Sequence, residues 1–315
     1  TKDMLAYQKT TFNNAPKLYL DRDYFTEGVF PAIESAQDSI HIAMLNFDGG
    51  RVGKYAADLL IRKKRTNPAI EIRVIIDNLG SSAILPWSAA QKNIRRMRAE
   101  GIEVVLNNFF SDGLEHRKSV IIDSKQAFVS GTCFSDRYFG NKKYWNAYDK
   151  TAKEQGLSAA KESAFHPKAT RRQNFAITPD MAVPDNADFG ASFQGSAVQD
   201  IQANYLQSWL LHGRCLNPEL NEQQICDKYF PPALPTGTTP VKVNHGVPWG
   251  PSEMRQNILA IIEGAQQTLD MEMAYVHVDE FCEALVTAVQ RGVKVRLISN
   301  SRSGIDAEGK WHLNR

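Results

Sequence analysis

The chain has no run approaching the roughly 20 consecutive apolar residues that a bilayer-spanning helix requires, so no membrane span is expected in it. Net charge is nearly absent as well, because 37 Lys plus Arg against 35 Asp plus Glu leave only +2. That excludes a global electrostatic pull toward nucleic acid or anionic lipid, and any such partner must be held by local groups. Cysteines number only four, and no set of His, Cys, Asp and Glu falls at metal-ligand spacing, so neither a metal nor another cofactor is expected. A basic-then-apolar leader is missing too. Since the chain starts at Thr1 rather than Met, processing or trimming is expected to have removed whatever preceded it.

What is present fits a globular protein: 315 residues, 43% hydrophobic and 23% charged, suffice for one large or two medium domains. Cys215 and Cys226, in RCLNPELNEQQIC, are spaced for a small disulfide-closed loop, which would imply an oxidising, secreted or periplasmic compartment. Two unrelated thiols are the other reading. Cys282, among Phe281, Leu285 and Val286 at helical spacing, reads as a buried inert thiol.

An internal repeat organises the chain. AIESAQDSIHIAMLNF (Ala32 to Phe47) matches IIEGAQQTLDMEMAYV (Ile261 to Val276) in kind, each a helix end, an Ala-Gln turn and a period-2 strand. A helix and a second strand follow in both copies, GKYAADLLIRKK then EIRVIID, and EFCEALVTAVQ then VKVRLIS. Strands alternating with helices predict a parallel-rich sheet between helical layers, and two copies predict a pseudo-twofold α/β architecture. The domains expected are a first repeat over 1–226, a Pro- and Gly-rich linker over 227–251 and the start of a second repeat over 252–315. A polar insertion occupies 141–173 within the first repeat.

After a basic helix (AAQKNIRRMRAEG) and a strand (EVVLNN), the first copy continues into HRKSVIIDSKQAFVSGTCFSD. SVIID and QAFVS read as adjacent buried strands joined by the turn Asp123-Ser124-Lys125. His116 and Lys118 stand two apart on an extended backbone, so both side chains share a face. An imidazole beside an ammonium, near a Gly131-Thr132 turn offering backbone N–H groups, suits a phosphate.

HRKSVIID followed by FVSG resembles the HxKxxxxD motif of the phospholipase D superfamily. The helix-strand repeat, and the motif's position after a third strand, agree with that family over nearly the whole chain. NADFGASFQGSAVQDIQANYLQSWL also resembles the strand and helix that follow the first motif in bacterial phospholipases and cardiolipin synthases. The resemblance implies a phospholipase D-like αβα sandwich of two pseudo-twofold repeats with mostly parallel-rich mixed sheets. It further implies a phosphodiester hydrolase acting on phospholipid headgroups, with phosphatidyl transfer open to it, through a covalent phosphohistidine. His116 would attack phosphorus, Lys118 would bind the phosphoryl oxygens, Asp123 would brace the motif and Asp188 would orient the nucleophilic imidazole. Asp123 capping the strand turn without touching substrate stands beside that role.

The sequence departs from the family pattern twice. Where most members carry Asn after a Gly-Ser pair, this chain reads SGTCF, placing Cys133 or Phe134 there. Gly131 and Thr132 are then expected as oxyanion contacts and Cys133 as a pocket residue. The family also needs a second motif, whose histidine protonates the leaving alcohol, and only one complete motif occurs. By the repeat offset its counterpart falls roughly 25 to 30 residues past Arg315. A further segment or a second chain is expected to supply it, and this chain alone is expected to be inactive. His166 with Lys168 forms another HxK, interrupted by Pro167 in the polar insertion, and reads as loop. His41 reads as a packed mid-strand residue, and His212 as a helix-end residue beside Gly213. His277 follows the second-copy strand at the expected pocket mouth and is a pocket candidate.

Tyr138, Phe139, Tyr144 and Trp145 with Lys142 and Lys143 offer an aromatic, basic rim for peripheral membrane contact; a loop packed on the core is the other reading. The alternatives to a phospholipid substrate are a nuclease, with IRKKR and KNIRRMR holding nucleic-acid phosphates, or a non-catalytic member that has lost the second motif.

Overall fold

The computed structural model describes residues 9–81, 83, 87–139, 188–233, 235–246, 253–273, 276 and 278–299. The chain divides into two compact units, Thr1–Val243 and Asn244–Arg315. The first unit opens with β1 (Thr11–Leu20), a π-helical turn Tyr24–Val29 and α1 (Phe30–Ser35), followed by β2 (Ser39–Met44), α2 (Arg51–Thr66), β3 (Glu71–Asp77), α3 (Ala89–Ala99) and β4 (Glu103–Asn107). A helical turn, α4 (Phe109–Asp112), leads to the hairpin β5 (Lys118–Ile122) and β6 (Gln126–Ser130), then β7 (Phe189–Gln194), α5 (Ala197–Leu211), α6 (Glu222–Tyr229) and β8 (Thr239–Val241).

These strands form one eight-stranded sheet in the order β4-β3-β2-β5-β6-β7-β1-β8. The crossover helices α2 and α3 make β2, β3 and β4 parallel neighbours. The tight turn at 123–125 makes β5 and β6 antiparallel, and the pairing stays antiparallel through β7, β1 and β8. β2, SIHIAM, is buried on both faces, as a central strand sandwiched between helices must be. One face packs Ile42, Val74 and Phe128, with Phe134, against Ile33 of α1, Leu60 of α2 and Ile94 of α3. The opposite face packs Ala43, Ile75, Ile121 and Ala127 beneath Ile201, Tyr205 and Trp209 of α5 and Tyr229 of α6. The unit is therefore an αβα sandwich around a mixed sheet.

The expected linker starts later than residue 227. Tyr229 is fully buried at the end of α6, whose start is held by a reciprocal Asn221–Gln224 capping box, and β8 pairs with β1. Residues 227–243 thus belong to the first unit. Cys215, exposed after α5, and Cys226, within α6, are free thiols, so the disulfide and the compartment argued from it have no support here. Cys282 is exposed rather than buried, because the apolar side of its helix is set by Ala284, Leu285 and Ala288.

The second unit contains α7 (Glu253–Gly264), β9 (Thr268–Glu272), α8 (Asp279–Gln290) and β10 (Lys294–Ile298). β9 and β10 are parallel, and Thr268 faces Lys294 as Ser39 faces Glu71 in the first unit. The repeat visible in the sequence is therefore the same β-α-β unit in the same register.

Candidate active site

The motif lies where β5 begins. Pairing with β2 already starts one residue earlier, since Leu45 N–H donates to the Arg117 carbonyl at 3.0 Å, so 115–118 run extended and alternate faces. His116 and Lys118 turn to the α1–α3 side, and Lys118 Nζ lies 3.1 Å from His116 Nδ1 and donates to the His116 carbonyl at 2.7 Å. Lys118 is buried, while the His116 ring keeps an exposed edge. Desolvation of the rest of the ring, then the Lys118 charge, lowers the His116 pKa below its ordinary value, against the opposing pull of Asp77 and Glu115. That direction favours the neutral imidazole, the form in which a histidine can act as a nucleophile. Burial likewise lowers the Lys118 pKa, opposed by Cys133, Asp188 and Glu115.

Lys118 faces the end of β6 and the start of β7. Cys133 is buried there as a free thiol, its pKa raised by desolvation and pulled back by Lys118. The Gly131 amide donates to the Phe189 carbonyl at 3.3 Å, so the N–H expected to cradle an oxyanion belongs to the sheet instead. Glycine is required there for a different reason, since a Cβ would stand 2.4 Å from the Asp188 carboxylate. Thr132 is fully buried, with its hydroxyl 2.8 Å from Ser130 Oγ.

Asp188 is tied to the end of β1: its N–H donates to Asp21 Oδ1 at 2.9 Å, and its carbonyl accepts from Asp21 N–H at 2.8 Å. Its charge acts on Lys118 and Cys133, whereas the carboxylates acting on His116 are Asp77 and Glu115. Asp188 is thus placed beside Gly131 and in the charge environment of Lys118. Asp123 sits at the far end of β5, roughly 17 Å from Lys118 at about 3.3 Å per residue. There, at φ +53°, its carboxylate accepts the backbone N–H groups of Gln37, Asp38 and Ser39 at 2.7 to 3.1 Å. It braces the hairpin against the start of β2 and does not reach the site.

Sequence reasoning missed the residues between and around the motif. Glu115 and Arg117, pointing to the α5 side, form a two-pronged ion pair at 2.7 Å. Asp77, fully buried at the end of β3, accepts from Asn107 Nδ2 at 2.8 Å and from the Glu115 N–H at 3.1 Å. The available signal was alternation itself: charged residues flanking an HxK on a buried strand must find partners on the opposite face. Of the expected aromatic rim, Phe139 is buried and Tyr138 packs against the core, so these two take the core-packing alternative. Tyr144, Trp145, Lys142, Lys143, His166, Lys168 and His277 lie outside the described residues.

A family profile described as "Cardiolipin synthase, PLD-like domain" matches residues 29–168 and 258–314, more than half of the chain. The chain belongs to that family. It is 24% identical over 301 residues to cardiolipin synthase 1 of Bacillus cereus, covering 91% of this chain and 50% of the relative. It is 29% identical over 187 residues to cardiolipin synthase A of Pseudomonas putida, covering 55% and 37%. The chain thus spans about half the length, or less, of these curated relatives. A phosphatidylserine synthase structure from Haemophilus influenzae superposes with a TM-score of 0.60 at 14% identity, covering 95% of this chain and 64% of that one, a likeness of fold. The phospholipase D-like sandwich expected from the motif is the fold observed.

Proposed function

We propose that the chain carries the nucleophilic half of an active site that transfers a phosphatidyl group between alcohols. The observation that carries this reading is the His116 ring, its Nδ1 held 3.1 Å from Lys118 Nζ at the entrance of β5. A ring nitrogen of His116 attacks phosphorus, the bond from phosphorus to the leaving alcohol breaks, and Lys118 stabilises charge on the phosphoryl oxygens. The acceptor's hydroxyl oxygen then attacks the phosphohistidine, the P–N bond breaks, and His116 is regenerated. The leaving alkoxide needs a proton in the first step and the acceptor must lose one in the second. A second HxK half supplies that acid and base.

The relatives' names favour transfer over the hydrolysis read from the motif alone, because they are synthases. An apolar surface suited to lipid contact lies at the edge of the same sheet. Leu20 pairs with Phe189, and Leu18, Ala191 and Val129 form the next row, all on the α5 side of the sheet, the face opposite to the one His116 and Lys118 take. Leu18, Leu20 and Phe189 are 71%, 69% and 56% exposed, an apolar area suited to contact with a lipid surface. The basic runs that favoured a nuclease are engaged within the chain: Arg62 pairs with Glu34, Arg65 with Glu100 and Arg96 with Asp58, while Lys63, Lys64 and Arg98 donate to backbone carbonyls.

A phosphodiester of p-nitrophenol tests the reading, because its leaving group needs no proton and the missing acid is bypassed. The chain should release one burst of p-nitrophenolate and hold a phosphoryl adduct on His116, found by mass spectrometry. His116→Asn should give neither. Absence of any adduct from the wild-type chain would refute the nucleophile and favour the non-catalytic alternative.

A further inference from the structure

Seven interactions converge on the two residues that flank His116. Arg117 Nε and Nη2 each donate to a different Glu115 carboxylate oxygen at 2.7 Å, and the Arg117 N–H donates to Glu115 Oε1 at 3.2 Å. Arg117 Nη1 donates to the Asn204 carbonyl of α5 at 2.7 Å, and Nη2 also reaches Ser208 Oγ. Ser208 Oγ donates to Glu115 Oε2 at 3.3 Å, and the Glu115 N–H donates to Asp77 Oδ2 at 3.1 Å. The Glu115 side chain is 3% exposed and that of Arg117 30%.

We propose that the Glu115–Arg117 pair, pinned to α5 through Asn204 and Ser208, is the positioning device of the HxK motif and keeps the Glu115 charge from acting fully on His116. The proposal rests on the nucleophilic reading of His116. A strand entrance has few ladder hydrogen bonds, so without the pins residues 115–117 are free to fray. With both flanking side chains fixed on the far face, His116 has one direction left. The second part follows from charge. His116 faces the Lys118 ammonium from β5 and feels the carboxylates of Asp77 at the end of β3 and of Glu115 on its own segment. Both carboxylates favour imidazolium, the form that cannot attack. Arg117 compensates Glu115 at 2.7 Å in a partly desolvated place, where an arginine fork binds a carboxylate best. Asp77 is damped differently, by four N–H donors from Leu79, Gly80, Asn107 and Glu115.

The test follows the His116 ring proton resonance through a pH titration of the full chain, which requires no turnover and so is independent of whether the phosphatidyl reaction is correct. Arg117→Gln, which leaves Glu115 uncompensated, should move the His116 midpoint up. Glu115→Gln should move it down. Arg117→Lys keeps the charge but loses the fork, so the midpoint should stay while the p-nitrophenolate burst rate falls about tenfold to a hundredfold, as expected for a misplaced reacting group. Ser208→Ala, the mildest change, provides a folded variant if Arg117→Gln does not fold, and should lower the burst rate in the same sense. Unchanged midpoints in Glu115→Gln, or a wild-type burst rate in both Arg117→Lys and Ser208→Ala, would overturn the proposal.

Discussion

Glu71 offers the most quantitative test of how this sandwich is held. Its carboxylate, on a side chain 12% exposed, accepts from His41 Nε2 at 2.9 Å, Lys228 Nζ at 2.6 Å and Tyr229 Oη at 3.0 Å, with Arg73 Nη1 at 3.3 Å. Burial alone would raise its pKa. The His41 hydrogen bond and charge, then Lys228 and Arg73, outweigh burial and hold it at about 2 against an ordinary 4.5. A gap of about 2.5 pH units is worth about 3 to 4 kcal/mol at roughly 1.4 kcal/mol per unit. Glu71→Gln should cost a similar amount by a second route, since removing one partner of a buried pair leaves charge uncompensated at a cost of about 3–5 kcal/mol. Arg73 keeps Glu103 and Tyr229 as partners, which favours the lower end. Because the folded pKa is depressed, this stability is fully present above 4.5 and is lost as pH falls toward 2. In urea unfolding followed by near-ultraviolet circular dichroism, wild type should exceed Glu71→Gln by about 3 kcal/mol at neutral pH and match it near pH 2. A difference that stays constant across that range would refute the assignment.

The remaining tests concern the site and its surroundings. The p-nitrophenolate burst should fall as pH drops through the His116 midpoint, which lies below the ordinary histidine value because desolvation and Lys118 disfavour imidazolium; a midpoint above the ordinary value would contradict that geometry. Asp123→Asn keeps a residue tolerant of positive φ but weakens the charged acceptor for Gln37, Asp38 and Ser39, so stability should drop by about 1–3 kcal/mol with the burst per folded molecule unchanged. A burst lost in fully folded Asp123→Asn would return that residue to the site. Leu20→Asp, on an exposed position, should leave the fold intact and reduce sedimentation with phosphatidylglycerol vesicles, whereas unaltered sedimentation would remove the apolar rows from the lipid-facing surface.

The β-α-β repeat was legible because it rests on local patterning: period-2 strands and amphipathic helices are written in neighbouring residues, and both copies returned the same strand register. The His116 and Lys118 pairing was legible for the same reason, as two positions on one extended backbone. Residues brought in from afar were not. Arg117 reaches Asn204 and Ser208 across about ninety positions of chain, and nothing local to either segment announces that meeting. In the antiparallel half of the sheet the β5–β6 pair was legible from its tight turn, whereas β1 and β7, which pair across most of the unit, were not. The oxyanion reading of Gly131 went wrong where a small residue admitted two physical reasons, an exposed amide or a close approach, and the approach of Asp188 is the one present.

Helix α5 joins the stability argument to the catalytic one. Its Gln202 bonds His41 of the Glu71 cluster, Tyr205 stacks on the His41 ring at 5.0 Å, and Trp209 lies under Arg73. One turn away, Asn204 and Ser208 hold Arg117. The same helix therefore reads both the middle of β2 and the entrance of β5, and loosening its seat should disturb the two together. Gln202→Ala removes a buried partner of His41 without touching Arg117, so stability should fall by about 1–3 kcal/mol. If α5 moves as a rigid body, the His116 burst rate should fall with it. A stability loss with an unchanged burst would show instead that the helix carries two independent anchors.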